Sequence, residues 1–205
     1  MDMPQTRVGD HMLTYYDLRA PEYDDWWLGA GQYARPRPGW REEVGELVAA
    51  LGFLAPARVL DVACGTAFLT AHLRGRVVCL DQSLAMLRLA AARVPEAAPI
   101  RGDAAPLPFR DAAFGRVFTS HFYGHLLPGE RASFLDEARR VADQLVVVDA
   151  ALREDVAAEG WQERRLRDGS RHSVYKRYFT AAGLAAELGG GRTLHEGRWF
   201  VAVTT

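Results

Sequence analysis

The chain has 205 residues, 49% of them hydrophobic, and a formal charge of −1, which allows one sizeable core and one active site. Near-neutral charge and the lack of a basic tail remove the electrostatic footprint of a nucleic-acid binder. No apolar run approaches the roughly 18 residues of a membrane span, and MDMPQTRVGDHML lacks the basic start and apolar stretch of a signal peptide, so the expected location is the cytoplasm.

In chain order, Val44, Leu47, Val48, Leu51 and Leu54 recur at helical spacing and Pro56 ends that helix. The stretch RVLDVACGTAFLTAHL, Arg58 to Leu73, then reads as strand, tight turn and helix. Short apolar runs follow at RVVCLD, GRVFTS and QLVVVDA, separated by segments of helical periodicity. Strands that read as continuous apolar runs belong in a sheet with helices on both faces, so a doubly wound, mostly parallel sheet is expected. RTLHE and RWFVAVTT, joined at Gly197, are too close for a parallel crossover and predict an antiparallel hairpin at the sheet edge. The segment 155–176 is polar, Arg-rich and irregular, and reads as an insertion over the site. Cys64 and Cys79, the only cysteines, fall in or beside apparent buried strands and read as free thiols. Lys176 is the only lysine, which together with the Ala and Gly content suggests a GC-rich bacterial genome.

The turn after the first strand decides the ligand class. A dinucleotide site calls for G-x-G-x-x-G, so that pyrophosphate can sit on a helix N-terminus; here the turn is ACGTA, with Gly65 its only glycine. VLDVACGTA instead resembles the first motif of the class I S-adenosylmethionine-dependent methyltransferases, an acid followed by a small-x-Gly-x-Gly turn, with Ala63 and Ala67 where glycines are frequent. Asp81 closes the second strand twenty residues after Asp61, and RGDAAPLPF places Asp103 after a short third strand. DAAFGRVFTSHFYGHL matches the fourth strand and the loop that faces the substrate, YYDLRAPEYDDWW the tyrosine-bearing cap of small-molecule members, and YFTAAGLAAELGGGRTLHEGRWFVAV their last helix and hairpin.

The resemblance spans nearly the whole chain and implies one domain over 1–205, with a cap at 1–39 and a Rossmann-like core at 40–205 built on a seven-stranded sheet. It implies S-adenosylmethionine as cofactor and S-adenosylhomocysteine as product. Asp81 would accept hydrogen bonds from the ribose hydroxyls, Asp103 from the adenine amino group, and the Ala104 amide would serve a ring nitrogen. Tyr15 and Tyr16 would form a lid, and Asp61, Ala63, Gly65, Gln82 and Ser120 complete the cofactor's surroundings. A methyl at Ala67 would narrow the space beside the methionine part.

Methyl transfer needs an aligned acceptor atom, exclusion of water and, for a hydroxyl acceptor, removal of a proton. SHFYGHLLPGE brings His121, Tyr123 and His125 to the carboxyl edge of the sheet; either histidine is a candidate base, with Tyr123 orienting the acceptor. The i, i+4 spacing of the histidines also fits a metal-binding helix, but Gly124 and Pro128 argue for a loop and no acidic partner is adjacent, so no metal is expected; Asp149 is a lone carboxylate at the end of the fifth strand. His172, Tyr175, Lys176 and Arg177 either serve an acceptor carrying a carboxylate or phosphate or form a solvated face. Trp26, Trp27 and Trp40 either wall an apolar pocket or pin the cap to the sheet. The expected activity is metal-independent, His-assisted methyl transfer to a small molecule at oxygen, by a monomer or homodimer with no nucleic-acid or membrane partner. A nitrogen or carbon acceptor, a non-catalytic protein on the same fold, and an oxidoreductase are the alternatives.

Overall fold

The computed structural model describes residues 8–205, with side chains from Met12 onward, so the first residues of the expected cap lie outside it. Five parallel strands and an antiparallel pair form one seven-stranded sheet: β1 (Ala57–Val62), β2 (Gly75–Asp81), β3 (Ala98–Arg101), β4 (Phe114–Ser120), β5 (Ala142–Ala150), β8 (Arg192–Glu196) and β9 (Phe200–Thr204). Their order across the sheet is β3-β2-β1-β4-β5-β9-β8. The expected doubly wound sheet with an edge hairpin is thus observed.

The apolar runs are continuous because alternate residues feed two cores. In β5, Leu145 and Val147 pack with Phe134, Leu135 and Ala138 of α5 (Pro128–Val141) and Leu184 of α6 (Ala181–Glu187). Val146 and Val148 face the other way, packing with Leu47 and Leu51 of α3 (Trp40–Gly52) and Leu87 and Ala90 of α4 (Leu84–Arg93). Trp27 and Trp40 belong to this second core, and the Trp40 indole N–H donates to the Trp27 carbonyl at 2.8 Å. These two tryptophans pin the cap, made of α1 (Val8–Arg19) and α2 (Asp25–Leu28), to the sheet. Strand order reverses between β1 and β4, and the crevice beyond their carboxyl ends is where an open sheet of this kind accepts ligands.

Two expectations fail. No α-helix follows β1: the segment contains a single 3₁₀ turn, Thr70–His72. Ala63, Gly65 and Ala67 take φ of +56°, +54° and +59°, and only a few residues remain before β2 begins at Gly75. Gly75 has φ +113°, and a side chain there would run into the Ala57 carbonyl.

The second failure is the segment expected to be irregular. It is an antiparallel hairpin of β6 (Glu159–Arg165) and β7 (Arg171–Arg177), turning at Gly169 with φ +86° and the Ser170 N–H donating to Asp168 Oδ1 at 2.8 Å. One face is exposed, with Trp161 57% accessible, while Leu166 and Val174 pack against Tyr15.

A buried carboxylate docks the edge hairpin onto α3. Glu43 Oε1 accepts the N–H groups of Trp199 at 2.8 Å and Phe200 at 2.7 Å, with His195 Nε2 at 3.3 Å. Replacing Glu43 by Ala leaves two backbone donors without an acceptor, at about 1–3 kcal/mol each. Glu43→Ala is therefore expected to lower the unfolding free energy by about 3 kcal/mol, measured from the urea midpoint at unchanged slope.

Candidate functional site

A cavity of about 700 Å³ lies beyond the carboxyl ends of the parallel strands, within the size range of small-molecule sites. One part of its wall is Ala63, Gly65, Asp81, Gln82, Asp103, Ala104 and Ser120; another is His121, Phe122, His125, Leu126 and Phe134; Met12, Leu13, Tyr16 and Tyr23 come from the cap.

Asp81 is fixed at the end of β2 by two backbone donors, Gly65 N–H to Oδ2 and Ser83 N–H to Oδ1, both at 2.9 Å. Burial pushes its carboxyl above the usual range against the pull of those bonds. The same turn starts α4, whose Ser83 hydroxyl caps Met86 N–H at 3.1 Å and donates to Asp17 of the cap. Asp103 Oδ1 accepts from Gln82 Nε2 and from the Ala104 N–H, each at 2.8 Å. The Ala104 amide is thus already engaged and not free for a ring nitrogen.

Tyr23, which the sequence reading did not single out, covers the turn: a Cβ at Gly65 would lie 3.5 Å from its ring. Its signal was the tyrosine-bearing segment it shares with Tyr15 and Tyr16. Of those two, Tyr16 lines the cavity, whereas Tyr15 packs against Leu166 and Val174, with its hydroxyl accepting from Arg19 at 2.6 Å. Tyr15 is not placed to act as a lid.

Asp61 is buried and is not among the cavity-lining residues. It accepts from the Thr70 hydroxyl on Oδ2, while Oδ1 has no partner among the described residues. Burial pushes its carboxyl up to about 8, opposed by the Thr70 bond and reinforced by the charge of Asp81. Ala67 packs in the core beside Leu69 and Phe118, so its methyl does not narrow the cavity.

His121 leaves β4 with φ +53°, its ring edge-on to Trp26, Trp27 and Phe200. Its Nε2 is buried without a hydrogen-bond partner among the described residues, and Nδ1 lies 3.8 Å from Asp149 Oδ1, beyond hydrogen-bond reach. His125 closes the 3₁₀ turn Tyr123–His125, with Nδ1 2.6 Å from the Tyr175 carbonyl of β7. That carbonyl can only accept, which assigns the proton to Nδ1 and leaves Nε2 as the acceptor. Burial pushes both imidazoles down to about 3, with the charge of Lys176 acting in the same direction.

Tyr123 does not join them. It is fully buried against Phe134 and Phe179 with its hydroxyl 3.0 Å from Glu187 Oε1, away from the cavity. It cannot orient an acceptor there. The hairpin side chains are likewise committed elsewhere: Tyr175 to Glu159, Arg177 to Glu187, Lys176 to Asp149, and His172 to Ser170. No cluster of three His, Cys, Asp or Glu side chains suited to a shared ion occurs among the described residues.

Residues 60–145 match the family model described as "Methyltransferase domain". A demethylmenaquinone methyltransferase of Renibacterium salmoninarum is 40% identical over 116 residues, covering 54% of this chain and 46% of that protein. The chain spans about half the length of the curated relatives it matches. A DhpI–SAM–HEP complex superposes with a TM-score of 0.77 at 23% identity, over 97% of this chain and 98% of that one. A DhpI–SAH complex gives 0.73 at 25% identity, over 97% of each. Over residues 60–145 the chain is thus similar to the methyltransferase domain family, and it shares its fold with both DhpI complexes.

The turn after β1 carries alanines, Ala63 and Ala67, where the backbone is left-handed, a conformation that opposes Cβ by about 1–2 kcal/mol. Ala63→Gly removes that strain and returns part of the gain as unfolded-state entropy. The variant is expected to be more stable by about 0.5–1 kcal/mol, read as a rise in Tm.

Proposed function

We propose that the protein transfers the methyl group of S-adenosylmethionine to an oxygen of a small-molecule acceptor, with S-adenosylhomocysteine as product and a neutral histidine beside the acceptor. The observation that carries this reading is the convergence, in one 700 Å³ cavity, of Gly65, Asp81, Asp103 and the two histidines from four different strand ends. The relatives' names, all demethylmenaquinone methyltransferases, support a small-molecule acceptor.

The residues present fit the cofactor. Asp81 and Asp103 of the cavity wall suit the ribose and adenine donors, and Gly65 presents bare backbone beneath Tyr23, where a Cβ would already touch the ring. Bound there, S-adenosylmethionine supplies an electrophilic methyl group on a sulfonium sulfur. Asp81 and Asp103 hold the nucleoside, Tyr16 and Tyr23 exclude water, and the acceptor lies against Phe122, Leu126 and Phe134.

His125 receives the acceptor's proton: the O–H bond breaks as Nε2 gains hydrogen, while Nδ1–H stays on the Tyr175 carbonyl. A buried imidazole that resists protonation is a weak base, so the reading favours an acidic hydroxyl, phenolic or enolic, over an alkyl alcohol.

Calorimetric titration tests the cofactor half directly: S-adenosylmethionine and S-adenosylhomocysteine are expected to bind at micromolar Kd, and Asp81→Ala to weaken both more than about tenfold. No binding by a folded, ligand-free sample would favour a non-catalytic protein on the same fold. With an acceptor in hand, His125→Ala is expected to lower kcat by about 10²-fold and leave cofactor affinity within about twofold.

A further inference from the structure

The single lysine of the chain is buried. Lys176 on β7 is 4% exposed and pairs with Asp149 at the end of β5, which has no accessible surface. Besides the ammonium, Asp149 Oδ1 accepts the Ala150 N–H at 2.7 Å and Oδ2 the Gly124 N–H at 2.7 Å. Gly124 lies between the two histidines, and a Cβ there would approach both Asp149 oxygens to 3.0 Å and the Arg177 carbonyl to 2.6 Å. The glycine therefore lets the histidine turn rest directly on the carboxylate. Every bond Asp149 makes is to Lys176 or backbone, and His121 Nδ1 stands just outside reach at 3.8 Å.

We propose that Lys176 is a positioning residue for methyl transfer: by taking up the charge of Asp149 it keeps that carboxylate from capturing His121, so the imidazole meets the ligands uncharged. This rests on the proposed function only for its consequence on turnover; the state of the imidazole is a property of the protein alone.

The groups that bear on His121 are Asp149 from β5, Lys176 from β7 and Arg19 from α1; those on His125 are Lys176, Asp149 and Arg164 from β6. Asp149 is the only acid among them. Without the ammonium it is a buried carboxylate met only by the Ala150 and Gly124 N–H groups, with His121 as its nearest titratable neighbour, and a buried charge with no opposite charge beside it is strongly unfavourable. Proton uptake by His121 relieves it. The imidazolium then stands beside the cavity wall, where it repels a sulfonium cation.

The test is the full-length protein with Lys176→Met, Lys176→Arg and the double variant Asp149→Asn/Lys176→Met, each checked for folding by circular dichroism. Histidine ring NMR across pH 5–9 reads protonation without any methyl donor. His121 is expected to remain neutral throughout in the parent and in Lys176→Arg, to titrate within this range in Lys176→Met, and to become neutral again in the double variant.

In turnover, kcat/KM of Lys176→Met is expected to fall about tenfold per pH unit below that titration and to recover above it, with the double variant regaining a flat profile. A His121 that stays neutral in folded Lys176→Met, or a double variant whose NMR titration is no different from the single, overturns the proposal. Failure of S-adenosylmethionine to bind the parent overturns the proposed function instead and leaves the NMR result standing. If Lys176→Met does not fold, the Lys176→Arg and double variants still decide: a titrating His121 in either one overturns it.

Discussion

The ion pair between Asp149 and Lys176 joins three parts of the molecule that share no local sequence. Asp149 ends a strand inside the sheet, Lys176 sits on the inserted hairpin, and Gly124 of the histidine turn donates its N–H to the same carboxylate. A carboxylate without accessible surface tolerates its charge only when every oxygen is met by a donor. Here the donors come from β7, the turn and its own strand. The hairpin thereby takes a fixed place, and the Tyr175 carbonyl, one residue from Lys176, fixes the tautomer of His125. Removing one partner of such a pair destabilises by about 3–5 kcal/mol, so the chemistry and the fold meet at this junction.

The cap is held differently. Asp24 accepts from the Thr66 hydroxyl at 2.6 Å and pairs with Arg93, and Asp17 accepts from Ser83. Both contacts lie beside residues of the cavity wall, Gly65 and Gln82. In the Asp24–Arg93 pair the Asp24 side chain is about a quarter exposed and that of Arg93 about a third, and pairs of that kind contribute little because water replaces them readily. The apolar anchor is Trp27 and Trp40 in the core. The cap is therefore anchored by apolar packing, with polar contacts joining it to the two turns that carry Gly65 and Gln82.

The fold was legible because strands buried on both faces leave continuous apolar runs, and the first-motif turn was legible from Asp61, Gly65 and Asp81 at their spacing. Other features depend on contacts that no local pattern encodes. Tyr15 and Tyr16 are adjacent on a helix and so point about 100° apart; which one faces the cavity is set by the packing of Tyr15 on Leu166 and Val174. The hairpin β6–β7 escaped notice because its exposed face carries Trp161 and its covered face carries Lys176, reversing the usual polar alternation. Tyr123 shares a loop with both histidines, yet the tight turn directs it to Glu187. The helix expected after the turn is missing because the left-handed backbone extends through Ala67 and only one 3₁₀ turn, Thr70–His72, is formed before β2.

Charge accounts for the choice of neutral histidines. In the proposed reaction the donor brings a sulfonium cation into a cavity whose walls include Asp81, Asp103, Glu130 and Glu137. Asp81 and Asp103 lie at the β2 and β3 ends and the two glutamates on α5, whereas Asp149, beside His121, is neutralised by Lys176. The wall immediately around the histidines is therefore uncharged: two imidazoles held neutral by burial, with Phe122, Leu126 and Phe134, while Glu130 and Glu137 of α5 line the cavity beyond them. A cation there would raise the energy of an incoming sulfonium, and a free anion would compete with the acceptor for the electrophilic methyl group. In a low-dielectric pocket both effects are several times larger than in water. Cancelling Asp149 within the protein, rather than leaving it to His121 or to solvent, keeps the imidazole lone pair available, as the proposed transfer to an acceptor oxygen requires.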